Sequence, residues 1–227
     1  MSIKRLLIVI FVLSAAFQNI GAHWLYNLYK DGDRPYFGVR LNGGYAFPSD
    51  IRYARIPLSS KAVGFDVAVM GLFHAPMKHG FYAEPQVEVF YNSLKTAGTI
   101  SEQVAEEQVT SATMKTIGFR VPVALGWSCG FSGVRASIYT GPEFDFRLHT
   151  SFKPNHPTKI FNSTTARPLY GDYGVDLNLR SGIGFTFGRV YVGAAYIWKL
   201  CRITESDYGA KRQRIAELSV GYNFKNL

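Results

Sequence analysis

Cysteine is nearly missing from this chain, with only Cys129 and Cys201 in 227 residues, too few for a disulfide framework. No apolar run reaches the roughly 20 residues that a helix needs to cross a bilayer. His74, His79, His149 and His156 lack the regular spacing of metal ligands, so neither a metal nor a cofactor is expected. Domain boundaries, low-complexity tracts and linkers are also absent, which leaves one domain as the prior.

The N-terminus has the parts of an export signal. Lys4 and Arg5 precede a short apolar stretch at residues 6–13, and Ser14, Ala15, Ala16 and Ala22 supply small residues for cleavage. Cleavage after Ala16 and cleavage after Ala22 both fit; the second leaves the mature chain starting close to the first strand. The expected organisation is a signal peptide at 1–22 and one domain at 23–227. No cysteine lies near either site, which argues against a lipid anchor. The formal charge of +9 falls by two, to +7, once Lys4 and Arg5 are removed. An exported basic chain seldom meets nucleic acid, so the anionic partner expected is lipopolysaccharide phosphate.

Beyond the signal, apolar residues recur with a period of two. Phe37, Val39, Leu41, Tyr45 and Phe47 share one parity, with Gly38, Arg40, Asn42 and Gly44 on the other. Seven further runs behave alike: Val63–Val69, Phe81–Tyr91, Ile117–Trp127, Val134–Leu148, Val175–Phe185, Val190–Trp198 and Ala216–Phe224. Pro122 interrupts the fourth, where it predicts a bulge or local opening. The connections alternate in length. Tight turns are expected near Lys78 to Gly80, Cys129 to Gly133 and Phe187 to Arg189, and long polar loops near 48–61, 93–108, 152–171 and 201–211. Short turns at one end and long loops at the other mark an outer-membrane barrel, with the short turns in the periplasm.

The two faces have different chemistry. Gly38, Gly44, Gly64, Gly118, Gly126, Gly141, Gly182, Gly184, Gly193 and Gly221 fall with the charged parity, as suits the crowded lumen of a barrel of about eight strands. Arg40, Arg120, Arg135, Arg147, Arg180 and Lys199 are nearly matched by Asp66, Glu84, Glu88, Glu143, Asp145, Asp176 and Glu217 on that parity. Buried charges must be paired, so a lumen salt-bridge network is expected, plugging the barrel. Phe37, Phe81, Trp127, Phe187 and Phe224 fall near the periplasmic ends, and Phe47, Tyr91, Tyr173 and Trp198 near the outer ends, as two interfacial aromatic girdles. The expectation is an all-β fold: a closed antiparallel up-and-down transmembrane β-barrel of 8 strands with a side-chain-filled lumen. Cys129 and Cys201 would then lie about 25 Å apart or more, beyond disulfide reach. A soluble lipocalin-like binder, with its apolar set inward, is the alternative fold reading.

Short blocks across the mature chain resemble the PorT-like outer-membrane β-barrel family of Bacteroidetes. They are Tyr82-Ala83-Glu84-Pro85-Gln86-Val87 with Tyr91-Asn92-Ser93, Phe119-Arg120-Val121-Pro122-Val123, Tyr139-Thr140-Gly141-Pro142, Asp172-Tyr173-Gly174 with Gly182-Ile183-Gly184, and Leu218 to Phe224. The resemblance implies an outer-membrane barrel fold; the family's name-giving member is implicated in type IX protein secretion, so an accessory role in secretion is what it would imply.

Catalysis has one candidate, His149-Thr150-Ser151 near Glu143 and Asp145, which resembles the His-x-Ser element of outer-membrane lipid A deacylases. Strand parity sets His149 and Ser151 beside Arg147 in the lumen, away from any acyl chain, so no enzyme is expected. Arg52, Arg55, Lys61, Lys153, Lys159 and Arg167 are candidates for contacting lipopolysaccharide phosphates at the outer surface. The long loop with His156, Pro157, Ile160, Phe161, Pro168, Leu169 and Tyr170 is the segment suited to a protein partner. Asn162-Ser163-Thr164 fits a glycosylation acceptor by chance. A monomer is expected.

Overall fold

The computed structural model describes residues 34–53, 56–97, 111–131, 133–154, 174–203, 209–210 and 213–224. Eight long strands account for nearly all of them: β1 Tyr36–Tyr53, β2 Ile56–Pro76, β3 Phe81–Ala97, β4 Ser111–Phe131, β5 Val134–Pro154, β6 Gly174–Phe187, β7 Val190–Arg202 and β8 Arg214–Phe224. Each strand pairs antiparallel with its sequence neighbour. Pairing of β8 with β1, from Phe37↔Phe224 to Ala46↔Ile215, closes the sheet. The fold is therefore the expected closed eight-stranded up-and-down barrel, and closure removes the exposed sheet edge.

At one end the connections are tight. A 3-10 turn at Lys78–Gly80 joins β2 to β3, β5 begins at Val134 soon after β4 ends at Phe131, and the β6–β7 turn occupies 188–189. Gly80, Gly133 and Gly188 take positive φ of 81°, 83° and 62° there, a region open to glycine without a Cβ penalty. The β4–β5 turn is tighter than expected, because Cys129 and Gly130 still pair with Ala136 and Arg135.

The opposite end corrects a second expectation. Residues 48–61 were expected to be a polar loop, yet β1 and β2 pair as far as Tyr53↔Ile56, with register shifts after Ala46 and Asp50. A two-residue strand, Gly209–Ala210, adds to β1 at Ile51 and Arg52. Polar composition there reflects ladders that continue past the apolar band, not a break in pairing. β2, β4 and β5 each have 21 residues, about twice what crosses a bilayer.

The wall is inverted relative to a water-soluble barrel. Among the described residues twenty-eight large apolar side chains are exposed, including Val39, Leu41, Val69, Ile138 and Leu218. Arg40, Asp66, Glu84, Glu88, Arg120, Glu143, Arg147, Asp176, Arg180 and Glu217 are buried inside. An apolar belt of that extent far exceeds the few hundred Å² patches of soluble monomers. The lipocalin-like alternative, with an apolar interior, is therefore overturned.

The glycines make room inside the lumen. A Cβ on Gly126 would lie 2.3 Å from Cζ of Tyr82, and one on Gly182 would lie 2.5 Å from Cζ of Tyr139. These residues are direct cross-strand partners, Tyr82↔Gly126 and Tyr139↔Gly182, so each ring lies over the bare backbone of the next strand. The Tyr191 ring also covers Gly184 on β6 and Gly193 on its own strand.

Pro85, Pro122 and Pro142 also leave a mark. The β3–β4 ladder skips from Pro85↔Val123 to Glu88↔Arg120 without changing register, and β4–β5 skips from Pro122↔Glu143 to Leu125↔Thr140. Proline has no N–H to donate, and the result is a local opening on both sides of β4, not a bulge.

Candidate functional site

The lumen holds three tiers of ionic contacts. In the middle tier Arg120 donates from Nη1 and Nη2 to both carboxylate oxygens of Asp66, at 2.9 and 2.6 Å, and from Nη1 to Glu88 at 2.6 Å. Its Nε lies 3.6 Å from Asp145 and 3.8 Å from Glu143, and its guanidinium stands 3.9 Å over the Phe90 ring. Arg180 binds Glu143 at 2.6 Å, Glu88 at 2.9 Å and Glu217 at 3.3 Å. Glu88, fully buried, bridges the two arginines. Amides complete the cage: Asn42 donates to Glu88, Asn92 to Asp66 and Asn178 to Glu143.

Nearer the tight turns, Glu84 accepts from Arg40 at 3.0 Å, from His74 at 3.1 Å and from Gln86 at 2.8 Å. The His74 ring lies between Tyr36 and Tyr82, with centroids 4.5 and 4.7 Å away. Arg40 stands 3.7 Å over Tyr191. Arg135 lines a small cavity with these residues. In the third tier, near the far end, Asp176 receives Lys199, with Arg147 at 3.4 Å and Arg202 at 3.5 Å.

Dense pairing leaves little space. The cavity around Tyr36, Arg40 and His74 measures about 10 Å³, and that around Asn92, Arg120 and Lys199 about 20 Å³, which is room for about one water each. Asp66, Glu88 and Glu217 bring carboxylate oxygens within 4.8 Å of one another, but the guanidinium groups of Arg120 and Arg180 already neutralise that convergence. The arrangement binds the strands to one another across the interior.

Of the thirteen residues expected in the lumen, ten are buried, and Arg135, Asp145 and Lys199 are half-buried. Sequence reading missed His74, Tyr82, Tyr139, Tyr191 and Arg202. The tyrosines share the inward parity, which is the signal available for them. Arg202 was hidden by a register shift: Leu177 pairs with Cys201 and Asn178 with Lys199, so Leu200 is an extra residue.

A similar shift overturns the orientation expected for His149 and Ser151. Gly118 pairs with Arg147 but Ile117 pairs with His149, leaving Leu148 as the extra residue. Thr150 therefore turns inward, buried beside Thr116, and His149 and Ser151 share the outer face with exposed Ile117 and Lys115. The seven acids whose side chains are described, Asp66, Glu84, Glu88, Glu143, Asp145, Asp176 and Glu217, share the lumen parity.

Of the aromatic residues, Phe37, Phe81, Trp127, Phe187, Trp198 and Phe224 are exposed on the outer wall. Phe47 contacts Tyr45 and Tyr196, Tyr196 contacts Trp198, and Tyr91 contacts Phe65. Tyr173, Arg55, Lys159, Arg167 and the loop residues His156 to Tyr170 lie outside the described residues, as does the signal segment. For Arg52, Lys61 and Lys153 only the strand placement is described. Cys129 and Cys201 are both free and exposed.

Fold and interior together define a closed, lumen-filled β-barrel with an apolar outer wall. Solved structures to which the chain is similar include Neisserial surface protein A, at 14% identity and TM-score 0.46, covering 86% of this chain and 100% of that one. The attachment invasion locus protein Ail of Yersinia pestis, solved with the heparin analogue sucrose octasulfate, shows 14% identity and TM-score 0.39 over 83% of this chain and 99% of that one. The N-terminal β-barrel domain of Pseudomonas aeruginosa OprF gives 13% identity and TM-score 0.31 over 84% and 100%. No family model matches the sequence, and no curated protein matches it.

Proposed function

We propose that this chain is an integral barrel of the bacterial outer membrane with a structural or interaction role in the envelope, not a conduit or an enzyme. One observation carries this reading: apolar side chains cover the outside while ion pairs fill the inside. Only a hydrocarbon surround stabilises such an inversion, since lipid-facing and lumen-facing residues alternate in a membrane barrel. Exposed Phe37, Phe81, Trp127, Phe187 and Phe224 act as the periplasmic girdle, and Phe47, Tyr91, Tyr173 and Trp198 as the outer one. Residues 1–22 serve as the export signal. The lipids it meets include lipopolysaccharide, and long hairpins carry the outer loops to a protein partner. The PorT-like blocks support an accessory place in secretion or adhesion.

Cys129 near the tight-turn end of β4 and Cys201 at the far end of β7 give a direct test. A membrane-impermeant maleimide on intact cells is expected to label Cys201, and Cys129 only after permeabilisation. Labelling of Cys129 first reverses the orientation, and recovery of the protein from the soluble periplasm removes the membrane reading.

A second reading is favoured by the shift at Leu148, which brings His149 and Ser151 to the outer face at the far end of β5: a lipid A-modifying hydrolase. Serine activation by imidazole needs those two groups within hydrogen-bond reach. Ser151→Ala and His149→Ala are expected to leave lipid A mass spectra unchanged if the barrel is non-enzymatic. A lost or gained acyl chain in either variant would establish the hydrolase instead.

A further inference from the structure

On the outer wall, toward the tight-turn end, strands β3 to β6 form a concavity of about 740 Å³. This lies in the range of sites that hold small ligands. Its flanks are the bulky residues Phe81, Leu125, Trp127, Ile138 and Ile183, and its low ground is Thr140 and Ser181, small side chains on adjacent strands. Gly126 and Gly182 carry no side chain at all, and the rings of Tyr82 and Tyr139 close the wall behind them. The lining is preformed. Trp127 Nε1 donates to the His79 carbonyl at 3.0 Å, fixing the indole against the turn. Thr140 and Ser181 hydroxyls bond each other at 2.8 Å, so the low ground does not require water.

We propose that this groove seats one acyl chain of a diacyl phospholipid from the periplasmic leaflet, with its phosphate held at the β2–β3 turn. The proposal rests on the reading of the wall as lipid-facing. Two features select the occupant. The groove lies within the apolar belt, where hydrocarbon is the surrounding solvent, and its lining is almost entirely apolar. At its turn end Met77 lines the groove, and exposed Lys78 follows directly with His79, so a cation stands beside the tail site where an anionic head group would lie. Lysine binds phosphate as a point charge and needs no fixed fork geometry.

The test is native mass spectrometry of the protein purified from outer membranes, in detergent, with added palmitoyl-oleoyl phosphatidylglycerol. Wild type is expected to retain one lipid through mild activation. Ser181→Phe, which fills the low ground, is expected to lose that adduct, and Ser181→Leu serves if the larger residue impairs folding. Lys78→Ala is expected to lower retention about fivefold, the weight of one lysine against an anionic surface. Heat-modifiable migration must stay intact in each variant. Equal lipid retention by wild type and a folded, filled variant overturns the proposal. So does a dimer of wild type that the filled variant loses, because the occupant is then a second copy of the chain. Failure of the parent reading would appear separately, as protein in the soluble fraction before any lipid is added.

Discussion

Arg120→Met is expected to destabilise the folded barrel by about 3–5 kcal/mol, the usual consequence of removing one partner from a buried ionic group. Arg120 is fully buried and serves Asp66 with two hydrogen bonds and Glu88 with one. Methionine supplies similar length but no charge, so Asp66 keeps Asn92, and Glu88 keeps Asn42 and Arg180. The measurement is the urea or guanidinium midpoint of heat-modifiable migration in detergent or lipid. Lys95→Met, at an exposed site on β3, is the comparison expected to change little. A loss under about 1 kcal/mol for Arg120→Met, the scale of an exposed pair, would show that the middle tier does not hold the strands.

Gly126→Ala tests the packing of the same lumen by steric means. The added methyl would sit 2.3 Å from Cζ and 2.5 Å from the hydroxyl of Tyr82. That ring is buried, with only 4% of its surface exposed, and has little room to retreat. Overfilling of this type costs about 1–3 kcal/mol. Tyr82→Leu in the same chain should recover part of the loss, because the shorter side chain vacates the space that the methyl needs. The double variant therefore distinguishes a clash from a backbone preference: recovery indicates the clash, while losses that merely add would mean that the strand itself needs glycine at 126.

Strand number, facing and antiparallel order were legible because apolar and polar residues alternate wherever the wall has an apolar outer face and an ionic inner one. Val39 against Arg40 and Leu41 against Asn42 leave a single assignment. The strand ends were not legible. Past the apolar band, residues such as Ser49 and Asp50 are polar on both faces, so alternation disappears although pairing continues to Tyr53↔Ile56. Register shifts were likewise invisible: one extra residue at Leu148 or Leu200 changes parity without any composition cue. That is why His149 was expected inside and why Arg202 was overlooked. Within the lumen the ionic residues could be named from parity, but their partners could not. Arg180 reaches Glu88 across the interior, a contact set by barrel circumference and stagger, neither of which a one-dimensional pattern contains. The tyrosine and glycine pairs were readable in principle, since Tyr82 and Tyr139 share parity with Glu84 and Glu143.

The long reach of those inner contacts bears on how the chain assembles. Asp66 meets Arg120 across 54 residues, and Glu88 meets Arg180 across 92. A partly inserted sheet of β1 to β5 would carry Glu88 and Glu143 without Arg180, and neither could leave water cheaply. Drying of the interior is thereby deferred until β6 has zippered on. Insertion should behave as a late, cooperative step, with kinetics slowed by distant pairings, instead of a succession of independently stable hairpins.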